Sequence, residues 1–233
     1  MSENKPAIIF CSGAWHREAH IKPILPHFET AGYKVIPHPL VSAGDKTMTA
    51  EDAVKSFVSV IEPELKKGRV ALILHSAAGP VGLAATHDIL AAQPDAKDKL
   101  VIMMLGSFLE YGPVTKFLFE KGYADFGRVD GTIECHKAME AFFNDMAEAD
   151  AQPYIDALVY QGMAGSPDER SESWKQCQVW CILTEQDKCV PADWQEKMAE
   201  EHGLHIARID AGHDPFISQP AKLVDVIDQA LRQ

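Results

Sequence analysis

Leu72-Ile73-Leu74-His75-Ser76-Ala77-Ala78-Gly79 carries an apolar run into a serine followed by small residues, and an apolar helical pattern begins at once. A strand that stops at a serine and turns straight into a helix lifts the hydroxyl above the sheet edge. It also aims backbone N–H groups at the same spot. A serine hydroxyl is a poor nucleophile until a base takes its proton, and that base needs a carboxylate to hold its tautomer. Two later loops supply these groups. Thr184-Glu185-Gln186-Asp187-Lys188-Cys189-Val190-Pro191 follows one apolar run, and Asp210-Ala211-Gly212-His213-Asp214-Pro215-Phe216 follows another. Ser76, Asp187 and His213 are therefore the candidates for nucleophile, acid member and base. Glu185 is the rival to Asp187. Asp210 is read as a strand-end residue without a role.

Acyl transfer also needs two backbone donors for the oxyanion. Ala77, directly after the serine, can give one. The other is expected from the turn Ser12-Gly13-Ala14-Trp15-His16, with the Ala14 N–H as the natural donor. Leu74 and Ala78 stand where the pattern G-x-S-x-G has glycines. A leucine there should crowd the turn, so Ala78 and Gly79 are expected to make room. His75 is read as packing support. Cys189 is assigned no function.

The elements that must position these groups alternate. Strands are expected at Ala7–Cys11, Tyr33–Pro37, Val70–Leu74, Leu100–Leu105, Gln178–Leu183 and His205–Ile209. Helical spacing falls between them, as at Val54, Phe57, Val58 and Ile61 after a Thr49 cap. This rhythm implies an α/β fold with a doubly wound, mostly parallel sheet, ligands binding at the carboxyl ends of the strands. From Ser107 to about Trp174 the rhythm breaks. Only helical stretches such as Ala138–Ala147 and Ala151–Gln161 are seen there, with aromatic residues between them. Residues 1–106 and 175–233 read as the core, and 107–174 as an inserted helical cap over that edge.

Formal net charge is −12, from 34 acidic and 22 basic residues, which argues against nucleic acid and anionic membrane surfaces as partners. The apolar runs are strand-sized, far short of the roughly 20 residues that span a bilayer. The polar start Met1–Pro6 lacks a basic segment followed by a hydrophobic one, and the five cysteines have no framework spacing. A reducing, cytoplasmic setting is expected. No glycine-rich phosphate loop appears. His16 and His20 at helical spacing lack further ligands, so neither cofactor nor metal is expected.

Taken together these segments resemble the α/β-hydrolase superfamily, and within it the small serine esterases with a Gly-Ala-Trp-His type of turn after the first strand. The resemblance rests on Ser12–His16, His75–Gly79, Phe142-Phe143-Asn144-Asp145, the Asp187-x-x-Val190-Pro191 pattern and Gly212–Ser218. It implies a six-stranded sheet in the order 2-1-3-4-5-6, Ser76 as nucleophile, His213 as general base and acid, and Asp187 as the acid member. The function implied is hydrolysis of a carboxylic ester or lactone of a small apolar molecule. Trp15 and His16 are expected at the pocket mouth, His16 either in a purely structural role or in contact with substrate, and Phe108, Phe142 and Phe143 are the insertion aromatics expected to face it. Two other readings stay open on the same scaffold: lyase or cyclase chemistry, and ligand binding without turnover. Exposed cap surfaces often pair, so a homodimer is compatible with the sequence.

Overall fold

The computed structural model describes residues 5–126, 129–167 and 172–233. The strands β1 (Ala7–Cys11), β2 (Val35–Pro37), β3 (Val70–His75), β4 (Leu100–Leu105), β8 (Gln178–Thr184) and β9 (His205–Ile209) form one sheet in the order β2-β1-β3-β4-β8-β9. Every neighbouring pair is parallel. This is the order expected from the sequence. β3 and β4 are buried along their whole length, as strands covered on both faces must be. The register pairs Cys11 with Leu74 and His75 with Leu105, so the loops after β1, β3 and β4 leave the same edge.

Helices α1 (Glu18–Ile21), α2 (Leu25–Thr30), α3 (Ala50–Leu65), α4 (Ala78–Ala92) and α8 (Ala192–His202) lie in the crossovers, and α9 (Pro215–Ser218) and α10 (Pro220–Leu231) follow the last strand. Thr49 caps α3 as expected. Its hydroxyl accepts the Asp52 N–H at 3.1 Å, and Asp52 accepts the Thr49 N–H at 3.0 Å. A 3₁₀ turn at Lys22–Ile24 separates α1 from α2, because Pro23 and Pro26 remove amide donors from what would otherwise be one helix.

The insertion departs from the sequence reading. It holds α5 (Tyr111–Lys121), α6 (Ala138–Ala141) and α7 (Glu148–Asp156), and also a small antiparallel sheet. That sheet is made of β5 (Ala124–Asp125), β6 (Thr132–Cys135) and β7 (Gln161–Gly162). Strands of two to four residues are too short to show an alternating pattern. The two expected helices are shorter than read. The chain leaves α6 at Phe142, where Asn144 and Asp145 turn outward to hydrogen-bond the core, and Gln161 belongs to β7. Among the described residues no helix is long and apolar enough to cross a membrane.

Candidate active site

Ser76 sits between β3 and α4 with φ +52°, the left-handed region that a non-glycine residue occupies only at a cost of about 1–2 kcal/mol. The strain is held from several sides. The Ser76 N–H donates to Leu105 O at 3.1 Å, while its carbonyl accepts the Gly79 N–H at 3.0 Å and the Ser107 hydroxyl at 2.6 Å. Leu74 is accommodated differently from expectation. Its branched end fills the space left by Gly82, one turn into α4, where a Cβ would overlap both Leu74 methyls. Gly79 instead makes room for Ser107 and Phe108.

The turn after β1 backs directly onto the serine. Its Gly13 N–H donates to His75 Nδ1 at 3.2 Å, and its Trp15 N–H donates to Gln161 Oε1 at 3.3 Å. The amides of Ala14 and Ala77 find no acceptor among the described residues. Both carbonyls are tied back: Ala14 O to His16 Nδ1 at 2.6 Å, and Ala77 O to the Tyr111 hydroxyl at 2.7 Å. Two free donors thus flank Ser76, as a developing oxyanion requires.

Asp187 Oδ2 accepts His213 Nδ1–H at 2.8 Å. The carboxylate is fixed by the Cys189 and Val190 N–H groups on Oδ1, each at 2.8 Å, and by the Thr184 hydroxyl on Oδ2 at 2.8 Å. Gln195, buried in α8, donates to Thr184 Oγ1 at 2.9 Å and to Asp187 Oδ2 at 3.2 Å. Gly106, at φ +49°, leaves room for the pair, since a Cβ there would lie 3.0 Å from Asp187 Oδ2. Burial opposes charge on the His213 ring, but Asp187 outweighs it and the Cys189 thiol beside the ring adds to the effect. The ring is held well above the usual histidine range. Burial pushes the Cys189 thiol up, against the pull of His213.

A cavity of about 360 Å³ opens at Ser76, lined by Ser76, Ala77, Ala14, Trp15 and Cys189 from the core, while Asp187 and His213 are not among its lining residues. Phe108, Tyr111, Phe126, Ile133 and Met163 from the insertion complete much of the wall, and among the described residues none that lines it is Asp, Glu, Lys, Arg or His. The Ser76 hydroxyl has no hydrogen bond among the described residues. Bonds of that kind commonly close only with substrate in place. A larger groove of about 980 Å³, walled by Trp174, Trp194 and Met198, shares Phe108 and Tyr111 with this cavity but contains none of Ser76, Asp187 and His213.

Residues 8–226 match the model of the alpha/beta hydrolase family. The chain belongs to the α/β hydrolase family. No curated protein matches the sequence of this α/β hydrolase. Among solved structures it is similar to polyneuridine aldehyde esterase, with TM-score 0.78 and 18% identity over 97% of this chain and 100% of that one. A pyrethroid hydrolase from Sphingobium faniae matches with TM-score 0.71 and 18% identity, over 97% of each chain. A methylesterase from Arabidopsis matches with TM-score 0.74 and 16% identity, over 98% of this chain and 99% of that one. Likeness at these identities is likeness of fold.

Within this α/β hydrolase, Trp15 and Phe108 reach the cavity as expected, whereas His16, Phe142 and Phe143 do not. The Phe142 ring stacks on His213 with centroids 5.5 Å apart, and Phe143 packs edge-on behind it. His16 turns inward, its Nε2 lying 2.8 Å from Asp214 Oδ2. His75 is more than packing: besides accepting from Gly13, its Nε2–H donates to His213 O at 3.1 Å. His75, His213 and Asp214 bring one ligand atom each within 4.8 Å of one another. The His75 nitrogens, His213 Nδ1 and Asp214 Oδ2 are all committed to hydrogen bonds, so the cluster is arranged as a network rather than as an open ligand set. His20 is likewise engaged, accepting the Arg17 N–H and facing Tyr154 O. Gln195, Asp145 and Asp214 were not singled out from the sequence. Asp145 and Asp214 gave partial signals, one within the Phe142–Asp145 motif and one beside His213. Gln195 gave none.

Proposed function

We propose that this α/β hydrolase cleaves a carboxylic ester or lactone of a small apolar molecule through an acyl-enzyme on Ser76. His213 takes the hydroxyl proton as Ser76 attacks the carbonyl, and Asp187 holds the imidazole in the tautomer that can receive it. The Ala14 and Ala77 amides stabilise the tetrahedral oxyanion. His213 returns the proton to the leaving alkoxide, then activates the water that releases the acid. Segment 107–174 acts as the cap that keeps bulk water out of this chemistry.

The observation that carries this reading is that Ser76 lines one cavity with Ala14 and Ala77, whose amides are unpartnered, and that among the described residues the wall holds no formally charged side chain. Such a wall suits a neutral, apolar substrate and disfavours an anionic one, which would lose hydration without gaining a counter-charge. The naming of structural relatives as esterases and as a pyrethroid hydrolase supports the same class.

The test is a set of neutral esters of graded acyl length with wild type, Ser76→Ala and His213→Ala, alongside labelling by an active-site fluorophosphonate. Wild type is expected to turn over short apolar esters and to take one label on Ser76, and both variants to be inactive. Full activity in Ser76→Ala, or no labelling of wild type, would refute the acyl-enzyme. Turnover that survives Ser76→Ala but not His213→Ala would move the reading to lyase or cyclase chemistry.

A further inference from the structure

The peptide that presents the Ala14 N–H is held from both sides. On one flank, the Gly13 N–H is bound by His75 Nδ1 at 3.2 Å. On the other, the Ala14–Trp15 peptide is bound twice, its carbonyl by His16 Nδ1 at 2.6 Å and its N–H by Gln161 Oε1 at 3.3 Å. The two histidines converge on one carboxylate. Asp214 Oδ2 lies 2.8 Å from His16 Nε2, and Oδ1 lies 3.3 Å from His75 Nε2. His75 Nε2–H also meets His213 O, so the same network holds the loop that carries the base. All three side chains are at most 1% exposed.

We propose that Asp214 is a positioning residue which, through His16 and His75, locks the oxyanion donor of Ala14 in register with His213. This rests on the hydrolase reading above and names a part of the same machinery. The carbonyl of Ala14 can only accept, so His16 Nδ1 carries a proton, and a second proton lies between His16 Nε2 and Asp214 Oδ2. Burial works against the carboxylate, but His16, His75 and His213 together bring Asp214 down to about 2. Burial, with the nearby His213, keeps the His75 ring well below the usual histidine range; it stays neutral, with Nδ1 free to accept from Gly13 and Nε2–H free to donate. Each hydrogen bond in the clamp has its donor and its acceptor, and Asp214 joins the two halves through its bond to His16 and the close approach of Oδ1, which has no hydrogen bond of its own, to His75.

A misplaced oxyanion donor is felt in the transition state more than in substrate binding. Asp214→Ala is expected to lower kcat at least 30-fold with KM within twofold of wild type. Asp214→Asn, which can still bond His16 and keep an oxygen facing His75, is expected to stay within fivefold. His75→Phe, which fills the space without either bond, is expected to resemble Asp214→Ala, and the double variant to be no worse than the poorer single one. The proposal is overturned if folded Asp214→Ala or His75→Phe keeps kcat within threefold of wild type, or if Asp214→Asn falls as far as Asp214→Ala. Should Asp214→Ala not fold, His75→Phe and Asp214→Asn decide the question. If wild type hydrolyses no ester and takes no fluorophosphonate, the hydrolase reading fails on its own. The clamp is then judged by exchange of the Gly13 amide, which should be slow in wild type and at least tenfold faster in His75→Phe. Equal exchange in the two would sink the clamp itself.

Discussion

Gly13 is pressed against Ser76: a Cβ added to Gly13 would lie 2.6 Å from the serine Cβ and 3.1 Å from its Oγ. The first turn and the nucleophile elbow are thus packed backbone to side chain, with no room for a methyl group. Gly13→Ala is expected to destabilise the fold by about 1–3 kcal/mol through overpacking. By pushing the oxyanion turn away, it should also lower kcat/KM by on the order of a hundredfold. Urea melts and steady-state kinetics on one apolar ester read the two effects separately. A variant with wild-type values in both would show that the turn is slack.

The left-handed backbone at Ser76 makes a prediction that runs against the usual direction of core substitutions. Ser76→Ala keeps the strain, whereas Ser76→Gly releases it. In paired denaturant melts the glycine variant should be more stable than the alanine variant by about 1 kcal/mol. Both should be inactive. Equal stability would mean that the elbow carries no strain.

Ionisation of His213 sets the acid side of the activity profile. The base must be neutral to accept a proton, and Asp187 raises the ring above its usual range despite burial. The acid limb of kcat/KM should therefore lie above about pH 6.5. In Asp187→Asn the counter-charge is gone, and burial is opposed only by the neighbouring Cys189. The limb should move below about pH 6.5, while the plateau falls roughly 10³- to 10⁴-fold. For stability the sign is the reverse of activity. A ring whose pKa is higher in the folded state contributes fully below about pH 6.5, and the contribution is lost as pH rises through the folded value. Asp214 behaves oppositely: its contribution is present above about pH 4 and disappears as pH falls toward about 2. Equilibrium melts across pH in wild type and Asp214→Asn would separate the two limbs.

Cys189 lines the cavity beside His213, although nothing in its sequence neighbourhood suggested a place in the site. N-ethylmaleimide is expected to abolish ester turnover by alkylating this thiol, and Cys189→Ser to resist inactivation. Because burial pushes the thiol up, the rate should climb steeply with pH through the alkaline range. Cys135, which is only half-buried, is the control: peptide mapping should find that its modification leaves turnover intact. Loss of activity tracking Cys135 rather than Cys189 would contradict this placement.

The order and edge of Ser76 and Asp187 were legible because each follows an apolar run long enough to announce a buried strand, while His213 follows the mixed, partly exposed strand His205–Ile209 and was placed by the alternation of elements. The side chains misplaced by the sequence reading share a different property. His16 was expected at the pocket mouth, but its ring is drawn inward by Asp214, a partner 198 positions away that no local pattern encodes. Phe142 and Phe143 have the composition of pocket walls, yet they serve as backing for the His213 ring. The room for Leu74 was sought in the adjacent residues. A leucine side chain reaches a full helical turn along α4, so the compensating glycine is Gly82. Gln195 stands in α8 among many polar and charged residues, where a buried amide has no signature of its own.

Asn144 and Asp145 end the first half of the insertion by reaching back into the core. Asn144 Nδ2 donates to Gln186 O at 3.0 Å, and Asp145 Oδ2 accepts the Gly212 N–H at 2.8 Å and the Ser218 hydroxyl at 2.7 Å. Gly212 has no space for a side chain because the oxygens of both residues lie against it. The heritable module is consequently not the insertion by itself. Recombination that swapped 107–174 for a foreign segment would orphan the loops bearing acid and base, unless the Asn-Asp pair and the glycine travelled together. The cavity walls supplied by α5 and β6 take no part in that junction, so substitutions there are expected to reshape the cavity while leaving both loops in place.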